Sequence, residues 1–364
     1  MINYRELGQY TIVDYPASAL SELEHHWHKL EQGLDMTAFQ TYDWHSTLFN
    51  LYKQEHVCKI FRSWRYILVL SGEKPVLIAP LELRRFGIRY RYVGASRGVY
   101  FTGRMGHTDY LNFIYDSFNP QALQLLIDYV CKQYHMKRFC LERIPAWTQS
   151  FKWLEETFKS EHQPVSCAAL TLPNTFEEYR LSLSKSTRQN IRTAINRANR
   201  NGIILTHELV LNPDLELQNQ LDVLNKQRLK KKSAASKRQM SIAGSIYCFC
   251  SMLLRKLFCA KPDVIHQSKN TFCFLVRDNQ KIVSFFWGIY HLPTMEYYVI
   301  LVGVDQDYEW YSPNISHLYT FIEEYYSTDK MMIKVLDFTR GAEGYKKTIG
   351  CTNRPVCSLT FHAK

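Results

Sequence analysis

The sequence predicts an α+β fold built in two halves, and three observations carry that expectation. The chain's 364 residues exceed one ordinary hydrophobic core and suggest about two domains of roughly 150–200 residues each. Three β-rich runs near the C-terminus, Thr271–Arg277, Lys281–Tyr290 and Met295–Val304, precede a helix, a strand, a short helix and a last strand, which is an α+β order. Pro173-Asn174 separates a strand pattern from a helical one, so the domains are expected over 1–172 and 173–364.

The N-terminal half opens with helical patterns around Ser18–Gln32 and Thr41–Tyr52. A hairpin follows: Trp64–Leu70, a turn at Ser71-Gly72-Glu73-Lys74, and the return Pro75–Leu83. Short strands are expected at Arg89–Val93 and Tyr110–Tyr115, and a helix from Asn119-Pro120 through Tyr134. Arg138–Arg143 reads as a strand, Trp147–Lys159 as a helix and Ser166–Leu172 as a strand. In the second half Thr175–Leu183 and Ser184–Asn201 read as helices, the latter stopped by Asn201-Gly202. Ile203–Leu209 is expected as a strand, Leu215–Lys231 and Met240–Phe258 as helices, and Pro355–Phe361 as the closing strand.

The bulk numbers narrow the class. A composition of 46% hydrophobic and 22% charged residues is that of a globular protein. No stretch reaches the ~20 apolar residues of a membrane helix, and the N-terminus lacks a basic-then-apolar signal pattern. Ten scattered cysteines with no CxxC pair read as reduced thiols, so a cytoplasmic location is expected. His25, His26 and His28 crowd one helix too closely for a metal site, and no metal is expected. The net charge of +11 is local: thirteen Lys or Arg residues against four acids lie between Arg180 and Arg238. A solvated helix end, a lid over a phosphate-bearing cofactor or anionic glycan, and RNA binding all fit the stretch from Lys226 to Arg238. No RNP-type aromatic motif accompanies it.

Two segments could carry chemistry. Tyr311-Ser312-Pro313 places a helix start directly after a strand meander, with Ser312 as cap and Pro313 at the first helical position. Amides at such a terminus bind phosphates, although an ordinary capped helix has the same signature. The second segment runs from Lys334 to Lys347: a strand end with Asp337, a glycine-bearing turn, then Tyr345-Lys346. Asp337 could serve as a general base, Tyr345 as a proton donor and Lys346 as an anion holder. Equally, Asp337 could cap the turn and pair with Arg340 or Lys346.

The run Asp337-Phe338-Thr339-Arg340-Gly341-Ala342-Glu343-Gly344-Tyr345-Lys346 resembles the DF-x-x-G-x-E-x-YK signature of the cellulose-biosynthesis-type acetyltransferases. That family is a branch of the GNAT superfamily related to the Fem aminoacyl transferases. Ile78-Ala79-Pro80-Leu81, Thr108-Asp109-Tyr110, Ser184-Lys185-Ser186-Thr187-Arg188 and Tyr311-Ser312-Pro313 resemble further family segments in matching order. The resemblance implies two tandem GNAT-like halves, each a mixed, largely antiparallel sheet flanked by helices, with acyl-CoA used by the C-terminal half. It implies an N- or O-acyltransferase acting on a sugar, polysaccharide or cell-envelope precursor by direct attack on the thioester. Asp337 and Tyr345 are then the catalytic candidates. Tyr298, Val299, Ile300, Leu301, Ser312, Asn314, Ile315, Ser316 and Lys346 are candidates for holding the acetyl-CoA or other acyl-CoA, and Asp109, Tyr110 and Arg188 for the small-molecule or glycan acceptor. Where the family has a glycine after Ser-Pro, this chain has Asn314, which adds bulk. An aminoacyl-tRNA-dependent transferase and a catalytically silent scaffold are the alternatives.

Overall fold

The computed structural model describes residues 2–53, 62–85, 97–103, 108–237, 264–311, 313–327, 333–341 and 344–363. In chain order the elements begin with strands β1 (Asn3–Leu7) and β2 (Tyr10–Pro16), then helices α1 (Glu24–Leu30) and α2 (Tyr42–Lys53). Strands β3 (Arg62–Ser71), β4 (Lys74–Arg84) and β5 (Gly98–Phe101) lead to α3 (Pro120–Tyr134) and β6 (Arg138–Pro145). Helix α4 (Gln149–Thr157), β7 (Glu161–Val165), β8 (Cys167–Thr171), α5 (Phe176–Ser182), α6 (Lys185–Arg200) and β9 (Leu205–Leu211) follow. The remainder is α7 (Leu215–Lys237), α8 (Val264–Gln267), β10 (Thr271–Asp278), β11 (Lys281–His291) and β12 (Glu296–Val304). After these come α9 (Pro313–Ser327), β13 (Val335–Arg340), α10 (Gly344–Thr348), β14 (Thr352–Asn353) and β15 (Val356–His362).

Two mixed sheets flanked by helices result, the α+β architecture expected from the sequence. The first has the order β1-β2-β3-β4-β5-β6-β15-β7, the second β14-β8-β13-β12-β11-β10-β9. Each contains one parallel pair, β5 with β6 and β12 with β13, among antiparallel neighbours. The chain forms two compact units, one of Met1–Val165, Tyr247–Gln267 and Arg354–Lys364, the other of Ser166–Ile246 and Ser268–Asn353. Sheet membership follows pairing rather than one cut in the chain: β8 pairs with β13 in the second sheet, while β15 returns to β6 in the first.

Local signals placed most helices. Asn119 caps α3 by accepting from the Ala122 N–H, and Ser184 caps α6 by accepting from the Thr187 N–H. Thr175 and Glu178 close a capping box on α5. Gly202, at φ +71°, supplies the left-handed residue just beyond α6. The segment expected as a strand from Tyr110 to Tyr115 is not one; only Ile114 bridges, to Ile78. Its backbone bonds elsewhere: the Tyr110 carbonyl accepts from Gln40 Nε2 at 2.8 Å, and the Leu111 N–H donates to the Arg143 carbonyl at 3.0 Å. Strands β1, β2, β5 and β7 were not anticipated; β7 is exposed along its whole length and lacks an apolar alternation to reveal it. The expected strand Arg89–Val93 and helix Met240–Phe258 lie outside the described residues.

The first unit buries polar groups inside an aromatic core. Trp27 packs against Tyr66, His45 and Tyr42, with centroid separations of 5.7, 4.9 and 6.1 Å. The Asp14 carboxylate, fully buried, accepts from Arg65 Nε at 2.7 Å, from the Tyr129 hydroxyl at 2.9 Å and from the Tyr134 hydroxyl. Burial drives the His45 imidazole down to about 3. The folded state therefore keeps His45 neutral where an unfolded chain takes up a proton near 6.5, so stability rises with pH between those values. Equilibrium urea unfolding of His45→Gln should accordingly lose less stability than wild type between pH 6.5 and pH 4. Part of the acid slope should persist, because His317 in the second unit is also held down to about 3 by burial. An unchanged slope in the variant would remove His45 from the account.

Candidate active site

The second unit's core lies beneath the strands that carry the candidate site. Leu170, Phe272, Phe286, Tyr297, Leu336 and Phe338 form one buried cluster, with Leu318 and Ile322 of α9 packed into it. Strands β12 and β13 pair in parallel at Glu296↔Val335, Tyr297↔Leu336 and Tyr298↔Asp337, and no later pair joins them among the described residues. Both strands change course there. In β12 the register with β11 skips Ile300, since Gly288 pairs Val299 while Trp287 pairs Leu301, which makes Ile300 a bulge. Gly288 permits this close approach: a Cβ at that position would lie 1.8 Å from the Tyr298 carbonyl oxygen.

In β13 the register with β8 shifts between Asp337 and Arg340. Thr339 sits in this irregularity at φ +52°, a strained conformation for a β-branched residue. Two bonds hold it: its N–H donates to Asp337 Oδ1 at 2.7 Å, and its hydroxyl donates to the Val299 carbonyl at 3.1 Å. Thr339 thus orients the carboxylate and ties the two diverging strands. Asp337 is fully buried, and so is Tyr298, whose hydroxyl donates to the Glu296 carboxylate.

The turn after β13 closes on α10. Lys346 is buried at 4% exposure, and its ammonium donates to the carbonyls of Phe338, Gly341 and Arg340 at 2.9, 3.2 and 3.3 Å. These contacts point the charge into the turn rather than outward. Tyr345 is half-buried, its ring edge-to-face with Phe338 at 6.4 Å. Burial pushes the Cys351 thiol up to about 12, with Lys346 opposing and Asp337 adding to the shift, so all three groups share one neighbourhood.

A groove of about 260 Å³ lies in the same unit, lined by Thr187, Ile191, Ala194 and Arg197 of α6, by Trp310, by Ile315 and Ser316 in the first turn of α9, and by Thr348 of α10. Of the residues expected to hold a cofactor, Ile315 and Ser316 meet there, and the backbone of Asn314 lies in the first turn of the same helix. Tyr298, Val299, Ile300 and Leu301 run along the diverging strand. Arg188 lies on α6 but does not line the groove; its guanidinium donates to the Arg180 carbonyl at 3.3 Å. Asp109 and Tyr110 belong to the first unit and are buried. Ser312 is outside the described residues. Sequence reasoning missed Gly288, Thr339, Arg197 and Trp310. A lone glycine inside the apolar run Lys281–His291 was the available signal for the bulge.

Residues 185–347 match the family model of the acetyltransferase (GNAT) domain. Sequence comparison with curated proteins found no match. Among solved structures the chain is similar to FemX, with a TM-score of 0.57 and 13% identity over 94% of this chain and 96% of that one. It is also similar to the C-terminal domain of a candidate lysylphosphatidylglycerol synthetase from Agrobacterium fabrum, with a TM-score of 0.52 and 11% identity over 94% of this chain and 93% of that one. L-PGS from Bacillus licheniformis gives a TM-score of 0.50 and 11% identity over 94% of this chain and 91% of that one. At such identities these likenesses establish the fold alone. The matched domain spans α6 to α10 and contains the diverging strands and the groove, so the chain carries a GNAT-type acetyltransferase domain and is a transferase.

Proposed function

We propose that the chain is an acyl-CoA-dependent N- or O-acyltransferase that acts on a sugar, polysaccharide or cell-envelope precursor in the cytoplasm, as in the cellulose-biosynthesis-type acetyltransferases. The observation that carries this reading is the end of β12–β13 pairing at Tyr298 and Asp337, beside a buried carboxylate. The thioester arm of acyl-CoA enters between the strands, and its remainder follows the groove along Ile315 and Ser316. Asp337 takes the proton from the acceptor amine or hydroxyl as that group attacks the thioester carbonyl. Backbone amides around the Ile300 bulge stabilise the charge on the carbonyl oxygen, and Tyr345 supplies a proton to the departing thiolate. Lys346 keeps the turn in shape through its three carbonyl contacts. Asp109, Tyr110 and Arg188 stay the candidates for the acceptor side.

A second reading, transfer from aminoacyl-tRNA, is favoured by the exposed cations of α6, Lys185, Arg192, Arg197 and Arg200. A thermal-shift titration with acetyl-CoA, CoA and tRNA separates the two. A ligand at 100 times its Kd adds about 2.7 kcal/mol of stability by mass action. The acyl-CoA reading expects a saturable rise in Tm with both CoA species. A rise with tRNA alone, abolished by moderate salt, favours the second reading, and no rise with either CoA species rejects the first.

A further inference from the structure

Helix α6 has a flank that the groove leaves unused. Lys185, Gln189, Arg192, Asn196 and Arg200 recur at helical spacing and all five are exposed. None of them lines the groove, which takes Ile191, Ala194 and Arg197 from the same helix. Across its 16 residues α6 carries five cations and no acid. Arg188–Arg192 at i,i+4 and Arg197–Arg200 at i,i+3 are like-charge pairs, which destabilise a helix. Among the described residues Lys185, Arg192 and Arg200 enter no ion pair. Acids on the flanking elements are engaged elsewhere: Glu177 accepts from Arg180 Nε at 2.7 Å, Glu178 closes the α5 capping box, and Glu208 pairs with Arg277 at 3.2 Å. A stripe of charge that weakens its own helix and meets no acid in the fold is directed at something outside it.

What accompanies the charge identifies the partner. Leu181, four residues before Lys185, is 59% exposed, and Ile204, four residues after Arg200, is 75% exposed. An aliphatic side chain at each end of a cationic helix suits a surface that is anionic outside and apolar beneath. A nucleic acid would meet the cations but offers nothing to the aliphatic ends. Nor does α6 bring an aromatic ring on which a base could stack.

We infer that the flank of α6 bearing Lys185, Arg192 and Arg200 docks on an anionic lipid surface, with Leu181 and Ile204 entering the boundary between headgroups and acyl chains. The inference goes beyond the transfer reaction and does not depend on which donor the chain uses. It concerns the surface on which the chain works.

Vesicle co-sedimentation of the full chain tests it, with vesicles of phosphatidylcholine alone and of equal parts phosphatidylglycerol and phosphatidylcholine. Wild type should bind the anionic vesicles only, and release them as salt is raised. Each Lys or Arg near such a surface contributes about five-fold, so Lys185→Gln, Arg192→Gln and Arg200→Gln together should weaken binding about 100-fold. Lys185→Arg with Arg192→Lys should bind as wild type does, because charge is what the surface reads. Leu181→Ser with Ile204→Ser should weaken binding several-fold at unchanged charge. A thermal melt checks each fold; if the triple variant melts early, Arg192→Gln alone takes its place, with about a five-fold loss expected. The inference is overturned if wild type ignores anionic vesicles or binds both kinds equally. It is overturned as well if the neutralised or the serine variant binds as wild type does. Binding of tRNA that the triple variant loses, with no vesicle binding by wild type, assigns the stripe to nucleic acid and also overturns it. Because neither donor nor acceptor is present, the result stands whether or not acyl transfer is observed.

Discussion

Asp337→Asn should lower kcat/KM about 10²- to 10⁴-fold, the usual contribution of a positioned general base, with little change in melting temperature. The structure separates the two effects. Asparagine keeps an oxygen at Oδ1, so the bond from the Thr339 N–H at 2.7 Å survives, and the fully buried site keeps its volume. What disappears, on the proposed role of Asp337, is the capacity to hold a proton taken from the acceptor. Turnover is best followed by thiol release from acetyl-CoA with the true acceptor, beside a thermal melt of the same preparation. Full turnover in the variant would reduce Asp337 to a turn-forming residue, the other reading its sequence context allowed. Thr339 gives an internal comparison, because its strained φ of +52° is sustained by the same bond and by the tie to Val299.

Gly288→Ala should be the most damaging small substitution in the second unit. The added methyl would fall 1.8 Å from the Tyr298 carbonyl oxygen and 2.7 Å from its carbon, both backbone atoms of β12. Backbone cannot swing aside as a side-chain tip can, so β11 and β12 must part where the bulge sets the direction of β12. Overpacking of this kind costs typically 1–3 kcal/mol and occasionally more; a loss of about 3 kcal/mol or more in urea unfolding is expected, with loss of transferase activity. Gly344→Ala is the control, since a Cβ there meets nothing within 4 Å. A Gly288→Ala protein as stable and active as wild type would show that the bulge is not needed for the site.

How much of this was legible beforehand depends on the range of the interactions involved. The β3–β4 hairpin was readable because its turn and both apolar runs are contiguous. The capped helices α3, α5 and α6 were readable because a cap and the amide it serves lie within three residues of each other. The turn proposed as catalytic is marked in the sequence by the pattern from Asp337 to Lys346, which gives its place without its geometry. That Lys346 turns inward onto three carbonyls follows from burial, which no spacing encodes. In the segment expected as a strand, Ile114 bridges Ile78, the Tyr110 carbonyl accepts from the Gln40 side chain and the Leu111 N–H donates to the Arg143 carbonyl, all partners distant in sequence.

By itself the sequence determined the α+β class, the presence of two halves, most helices among the described residues, and the segment that holds the buried carboxylate. These depend on periodicity, turn chemistry and residue order, which are local properties of a chain. Tertiary structure alone decided that β8 joins the second sheet and β15 the first, since pairing partners distant in sequence compete on packing. It also decided where β12 and β13 part, which required Gly288 to meet Tyr298 across strands and Thr339 to reach Val299. Finally it set Trp310 beside α6 to form one side of the groove, because a side chain's exposure is fixed by what folds around it and not by its neighbours in sequence.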